Sequence, residues 1–244
     1  GSGLRPEGVS HGGENRPGGD APPVPGLCAG RDDELRGVRA DPLLDLPVDF
    51  DSLAQAGAMM GSGGMVVLDE DDCAVETARF FLEFTQRESC GKCTFCRIGT
   101  RHMLDILTRI TRGEGVPEDL RRLEDLARDV ADGSLCNLGR TASNPVTTTL
   151  RHFGEEYEAH VRDRRCPARA CKALSAYVIS LERCRRACDA CVGSCPTEAI
   201  RTRPDGLKVI DQSRCVKCHS CWEACPPEYD AVQRVSPPPA AEET

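Results

Sequence analysis

No stretch of the 244 residues reaches the ~18 consecutive apolar residues that a membrane helix needs. The first 41 residues lack the apolar h-region of a secretory signal, so a cytoplasmic location is expected. Material for one large core is also short: hydrophobic residues make up 39%, enough for modest cores in one or two domains. Positive charge is in deficit, and the net charge of −8 argues against broad nucleic-acid binding. Docking onto a basic patch of a partner stays open. No nucleophile–base pair stands out. The "GSGG" at 61–64 has no phosphate-binding helix after it, so it is no dinucleotide fingerprint. What the chain has in excess is cysteine, sixteen in all. In a secreted protein that many would form disulfides; in a cytosolic one they bind metal. The chain opens on Gly-Ser-Gly without Met, which suits a cloning remnant or a piece of a longer protein.

Residues 1–41 are rich in Gly and Pro and carry no apolar period, so a disordered stretch or incomplete remnant is expected. Residues 42–72 look folded, with "GMVVLD" (64–69) as a short buried strand. Four amphipathic helices follow. They are expected over 74–88, over 98–112 with Gly113 closing it, and over 117–131 with Pro117 in the first turn and Gly133 beyond the end. The fourth starts at Asn144-Pro145. Leu120, Leu123, Leu126 and Val130 form one stripe; Val146, Leu150, Phe153, Tyr157 and Val161 form another. Short loops between them predict a small bundle over 73–163. Residues 164–183 read as a joint. The segments 184–200, "CRRACDACVGSCPTEAI", and 215–232, "CVKCHSCWEACPPEYDAV", repeat one another. Residues 233–244 read as a disordered tail.

The repeat carries the strongest motif. Cys215, Cys218, Cys221 and Cys225 before Pro226 make C-x2-C-x2-C-x3-C-P, the run that ligates iron–sulfur clusters in two-cluster ferredoxins. Three thiolates two residues apart wrap a tight loop round one face of a cubane, and turn N–H groups offset its negative charge. The fourth lies past a proline-ended turn and reaches the other cluster. The first copy, Cys184, Cys188, Cys191 and Cys195 before Pro196, has three residues in its first gap instead of two. Crossed ligation therefore groups Cys184, Cys188, Cys191 and Cys225, and separately Cys215, Cys218, Cys221 and Cys195. Structural zinc is the competing reading of C-x2-C pairs.

A third array lies upstream. Cys90, Cys93 and Cys96 run into an apolar helix, and Cys136 falls in the turn "DGSLCNLG" after the third helix. Returning helices bring such turns to one end of a bundle, so these four can surround one further cluster. A zinc knob is the alternative from spacing alone.

These segments are recognisable. "SCGKCTFCRIGT", "DGSLCNLG" and "NPVTTTLRHFGEEYEAH" resemble the cluster-binding end of the flavoprotein (51 kDa-type, FMN/NADH-binding) subunit of NADH dehydrogenase. "DLPVDFDSL" and "GAMMGSGGMVVLDE" resemble the end of its ubiquitin-like SLBB domain. With the ferredoxin extension, the chain is similar to the form found in NAD(P)-linked iron hydrogenases and some formate dehydrogenases. Phe95 departs from the family, which often has proline there. The resemblance implies an α+β architecture of SLBB remnant, four-helix iron–sulfur bundle and C-terminal two-[4Fe–4S] ferredoxin domain, with three clusters in all. It implies an iron–sulfur electron-transfer role in an NAD(P)H-dependent oxidoreductase complex. Implied partners are a 2Fe-2S thioredoxin-like subunit, a hydrogenase or formate dehydrogenase catalytic subunit, and soluble ferredoxin. FMN and NAD(P)H are expected only in the parent complex, because nothing here matches the domain that holds them. The rival readings are a non-redox zinc scaffold and a degenerate fragment of the same subunit.

Four cysteines remain. Cys28 is unassigned. Cys73, His160, Cys166 and Cys171 gather where the helical part meets the ferredoxin part, and three sulfurs with an imidazole make a closed zinc site. The alternative is a buried free thiol at Cys73 and a solvated His160. His11, His102 and His152 read as surface or packing residues. His219, inside a cluster loop, can tune that cluster by an N–H···S bond. Glu155, Glu156 and Glu158 read as a solvated helix face.

Overall fold

The computed structural model describes residues 47, 49–55, 66 and 68–238. The expectations for residues 1–41 and Cys28, and most of those for 42–72, lie outside the described residues. The chain is a mixture of helix and small antiparallel sheets. Its elements are α1 (Phe50–Gln55), α2 (Ala74–Glu88), a π turn (Phe95–Gly99), α3 (Thr100–Thr111), α4 (Pro117–Gly133), α5 (Asn137–Thr141) and α6 (Asn144–Arg162). A 3-10 turn (Lys172–Leu174), β1 (Ala176–Ile179), α7 (Ala190–Ser194), β2 (Ile200–Thr202), β3 (Lys208–Ile210), α8 (Ser220–Glu223) and β4 (Val232–Val235) follow. Of the expected strand over 64–69, the described residues Val66, Leu68 and Asp69 carry no strand.

The chain forms two compact units. Of the described residues, one takes those up to 70, 77–105 and 121–154; the other takes 71–76, 106–120 and 155–238. In the first, the expected helix start at 98 is replaced by the π turn, in which Cys96 sits buried. A Cβ on Gly99 would lie 2.3 Å from Cγ2 of Val130, so glycine lets the turn approach α4 closely. Gly133 is the last residue of α4 rather than a breaker beyond it. Phe95 lies against Gly133, where a Cβ would meet its ring at 2.4 Å. The short α5 was not foreseen; its Gly139 packs on Ser134 and Cys96.

In the second unit, α3 ends as expected at Gly113, whose φ of +74° suits glycine. The N–H of Glu114 bonds to the carbonyl of Arg109 at 2.9 Å and that of Gly113 to Ile110 at 3.0 Å. This pair is a Schellman stop. Asp119 then reaches back to the N–H of Val116 at 3.1 Å and pairs with Arg109 at 2.5 Å, fixing the start of α4. In α6 the backbone leaves helical geometry at Phe153 (φ −126°, ψ 30°), so the single apolar face read from Val146 to Val161 is interrupted.

Two antiparallel pairs complete this unit. β1 pairs with β4, Ala176 opposite Val235; β2 pairs with β3, Ile200 opposite Ile210. Between them Tyr177, Cys191, Ile200, Ile210, Cys221 and Val232 form a core. Two expected boundaries therefore shift. The joint over 164–183 contains β1, and residues 233–235, expected in the tail, lie in β4. The physical reason is closure: strands this short are unstable alone, and pairing the segment before the repeat with the one after it buries Val232 against Tyr177. Arg234 adds a bond to Asp71 at 2.7 Å.

Ending the chain after Ala231 is thus expected to destabilise this unit by at least about 2 kcal/mol, the order of one buried valine plus its ladder. Urea unfolding followed by circular dichroism, with the full chain as reference, measures the loss.

Candidate metal centres

Four groups of cysteines converge in the structure. In the first unit, the thiols of Cys90, Cys93 and Cys136 act electrostatically on Cys96, and burial foremost pushes the Cys96 thiol up. Cys93 is held below the ordinary thiol range, chiefly by the backbone N–H of Leu135. That donor lies in the turn carrying Cys136, so the turn after α4 meets the loop before the π turn. The Thr100 hydroxyl donates to the Cys96 carbonyl at 2.5 Å and steadies this end of the loop.

The repeat builds two cavities. One is lined by Cys184, Cys188, Cys191 and Cys225, with Tyr229, Ala231 and Val232 among its walls. The other is lined by Cys195, Cys215, Cys218 and Cys221, with Tyr177, Ile200 and Ile210. Each thus takes three cysteines from one copy of the repeat and the fourth from the other. The two copies match in detail. The third cysteine of each, Cys191 and Cys221, sits in a short helix and is pushed up to about 11, mainly by burial. The fourth of each accepts a backbone N–H: Cys195 from Ala199 at 3.3 Å, and Cys225 from Ala231 at 3.4 Å. The residue before each donor, Glu198 or Asp230, has positive φ, which turns the N–H toward the sulfur. Burial raises the Cys195 thiol, but the bonds from Ala199 and Thr197 outweigh it and leave it low. A backbone donor aimed at sulfur suits a thiolate that ligates metal.

The fourth group, which adds a histidine, is the tightest. The ligand atoms of Cys73, His160, Cys166 and Cys171 all lie within 4.8 Å of one another, and all four residues are buried. Nε2 of His160 is 3.4 Å from Sγ of Cys73 and 3.3 Å from Sγ of Cys171; those two sulfurs are 3.7 Å apart. A tetrahedral zinc with Zn–S of ~2.3 Å and Zn–N of ~2.0 Å needs S···S edges of about 3.8 Å and S···N edges of about 3.5 Å. Nδ1 of His160 donates to the carbonyl of Glu156 at 2.7 Å, leaving Nε2 unprotonated, with its lone pair on the side of the sulfurs. Cys166 is held far below the thiol range by bonds from Cys171 and Cys73, which are pushed up in turn.

Sequence reasoning missed several neighbours. Glu156 is not on a solvated face: its carboxylate accepts the Ala74 N–H at 3.2 Å and burial pushes its pKa up. It joins the start of α2 to the histidine's own helix. His219 spends Nδ1 on the Tyr177 hydroxyl and packs against Trp222 at 4.6 Å between ring centres, rather than bonding a sulfur through that atom. Lys208 is buried in β3 and pairs with Asp189. Nothing in their spacing signals these contacts. No helix among the described residues is long and apolar enough to cross a membrane.

Comparison with known proteins agrees with this chemistry. Residues 76–160 match the family described as the NADH-ubiquinone oxidoreductase-F iron–sulfur binding region, and residues 208–228 match a 4Fe–4S binding domain. The chain is 50% identical over 164 residues to the NADP-reducing hydrogenase protein HndC of Solidesulfovibrio fructosivorans, covering 67% of this chain and 33% of that protein. It is 44% identical over 124 residues to an F-type subunit of NADH-quinone oxidoreductase from Rhizobium meliloti, covering 51% and 30%. It is 40% identical over 127 residues to the F-type subunit of the same enzyme from Streptomyces coelicolor, covering 52% and 28%. The chain spans about a third of the length of these relatives. It is homologous to the C-terminal, iron–sulfur-binding part of the F-type flavoprotein of NADH dehydrogenase, in the form that carries a 4Fe–4S ferredoxin motif.

Proposed function

We propose that the chain is the electron-transfer part of an NAD(P)H-linked oxidoreductase complex, with sites for three [4Fe–4S] clusters and one structural zinc. The observation that carries this reading is the crossing of cysteines. Cys225 lines the cavity of Cys184, Cys188 and Cys191, and Cys195 lines that of Cys215, Cys218 and Cys221. Three thiols from one loop and a fourth from its duplicate are the donor set of a two-cluster ferredoxin. A zinc scaffold needs no such exchange. Cys90, Cys93, Cys96 and Cys136 are the proposed ligands of a third cluster, in a helical bundle over 73–163, preceded by the end of an SLBB domain.

Bound clusters of this kind carry single electrons. The protein's own part is placement and electrostatics. The loops space the thiols, Ala199 and Ala231 donate N–H groups to sulfur, and Tyr177, Ile200, Ile210 and Val232 keep water from the space between the two sites. FMN and NAD(P)H would be held elsewhere in the assembly. A 2Fe-2S thioredoxin-like subunit, soluble ferredoxin, or a hydrogenase or formate dehydrogenase subunit would exchange electrons with this part. The zinc would tie α2, α6 and the segment 166–171 together without taking part in redox chemistry.

Anaerobically reconstituted chain is expected to be brown and to hold about twelve irons, four per cluster. Colourless protein holding only zinc would sink the reading. Cys136→Ser should remove one cluster's worth of iron and leave the ferredoxin-type EPR signals in place, because those sites have eight thiols of their own.

Elemental analysis should also find about one zinc per chain. Cys166→Ala should abolish that zinc and keep the iron, with a lower melting temperature, since a structural metal contributes folding energy directly. Wild-type protein without zinc would leave the four residues a buried polar cluster only.

A further inference from the structure

Lys208 is 1% exposed, and it is the only lysine or arginine buried among the described residues. A buried ammonium is costly unless paired and hydrogen-bonded. This one is met by Asp189 Oδ1 at 2.9 Å, the carbonyl of Arg186 at 3.3 Å and that of Gly206 at 3.1 Å, a partner for each of its three donors. The positions of two of those partners matter. Arg186 lies in the gap between Cys184 and Cys188, which is one residue longer than in the second copy of the repeat. Asp189 follows Cys188 directly. The ammonium therefore bonds the lengthened loop at its middle and just past its end. The β2–β3 turn adds to this, since Gly206, at φ +84°, approaches so closely that a Cβ would lie 3.2 Å from Cβ of Arg186. In the second copy the loop's own Lys217 instead bonds outward to the carbonyl of Lys172.

The charges around the loop are unequal in their contact with water. The side chain of Asp189 is 74% exposed, against 1% for Lys208. Arg185 and Arg186 are exposed. Water screens the carboxylate and the two guanidinium groups more than it screens the covered ammonium, so the ammonium's charge is the least attenuated of the four. The pKa of Lys208 is raised, first by its bond to Asp189, against the desolvation that opposes it, so the side chain stays charged beside the loop that carries Cys188.

We propose that Lys208 is a positioning residue for the site of Cys184, Cys188, Cys191 and Cys225: it staples the lengthened loop and raises the reduction potential of the cluster bound there. The inference rests on the iron–sulfur reading given above. Reduction adds one negative charge to a cluster, and a fixed cation in a poorly screened place favours the reduced form. The two sites of the repeat are thereby made unequal although their cysteines match.

The test is an EPR-monitored redox titration of the full reconstituted chain. Lys208→Met should move the midpoint of one cluster to lower potential and leave the other two where they are. Asp189→Asn keeps an oxygen that can accept from the ammonium, and should move the same cluster the other way by a smaller step, because the lost charge is largely exposed. Challenge with an iron chelator should remove that cluster's signal several-fold faster from Lys208→Met than from wild type. The inference is overturned if Lys208→Met leaves all three midpoints unchanged, or moves all three together. It is equally overturned if Asp189→Asn leaves that cluster unmoved or lowers it, a result available even if Lys208→Met does not fold. A wild-type chain that takes up no iron is a different result, and sinks the iron–sulfur reading itself.

Discussion

Each cavity of the repeat is closed by a cysteine that belongs to the other copy, and the rest of the C-terminal unit follows from this exchange. Cys195 and Cys225 can cross only if the two loops stand back to back, and they can stand so only if the flanking segments pair. The strand pairs β1–β4 and β2–β3 do this with seven residue pairs in all, far too few to be stable without the core they enclose. That core includes Cys191 and Cys221, so the cavity-lining thiols and the packing share the same atoms. Burial drives both thiols up, so a metal bound there, as proposed, would have to displace their protons.

The Cys73–His160–Cys166–Cys171 group follows the same logic on a smaller scale. Three buried sulfurs at van der Waals distance repel as thiolates, and only one is comfortably ionised without a cation. The structure nonetheless fixes their geometry from outside. Glu156 takes the histidine's Nδ1 proton on its carbonyl and the first N–H of α2 on its carboxylate. One residue thereby orients the imidazole and fixes the approach of Cys73. Asp71, two residues earlier, holds Arg169 and Arg234 at 3.1 and 2.7 Å, tying the cysteine-bearing segment 166–171 and β4 to the same start.

Sequence by itself determined which cysteines come together in the repeat, because the spacing within each copy is local and the run is duplicated; each cavity has the lining that the crossed reading expects. It determined the span of α2, residues 74–88, because apolar period and flanking chemistry agree there. It determined the end of α3 at Gly113 and the start of α4 at Pro117, which are single-residue backbone effects. It also placed Cys73, His160, Cys166 and Cys171 together, although they come from three separated segments.

Tertiary structure alone decided what those spacings rest on. The π turn at Cys96 exists because Gly99 lets it close on Val130, a contact 31 residues away. Residues 233–235 became a strand only because β1 lies beside them, although "QRVSPPP" has no pattern to announce it. Glu156 left solvent and Lys208 left the surface for partners that lie 82 and 22 residues distant. A charged side chain reads as exposed from its own neighbours. Whether it is buried depends on which distant backbone groups meet it, and a linear spacing carries no information about that distance.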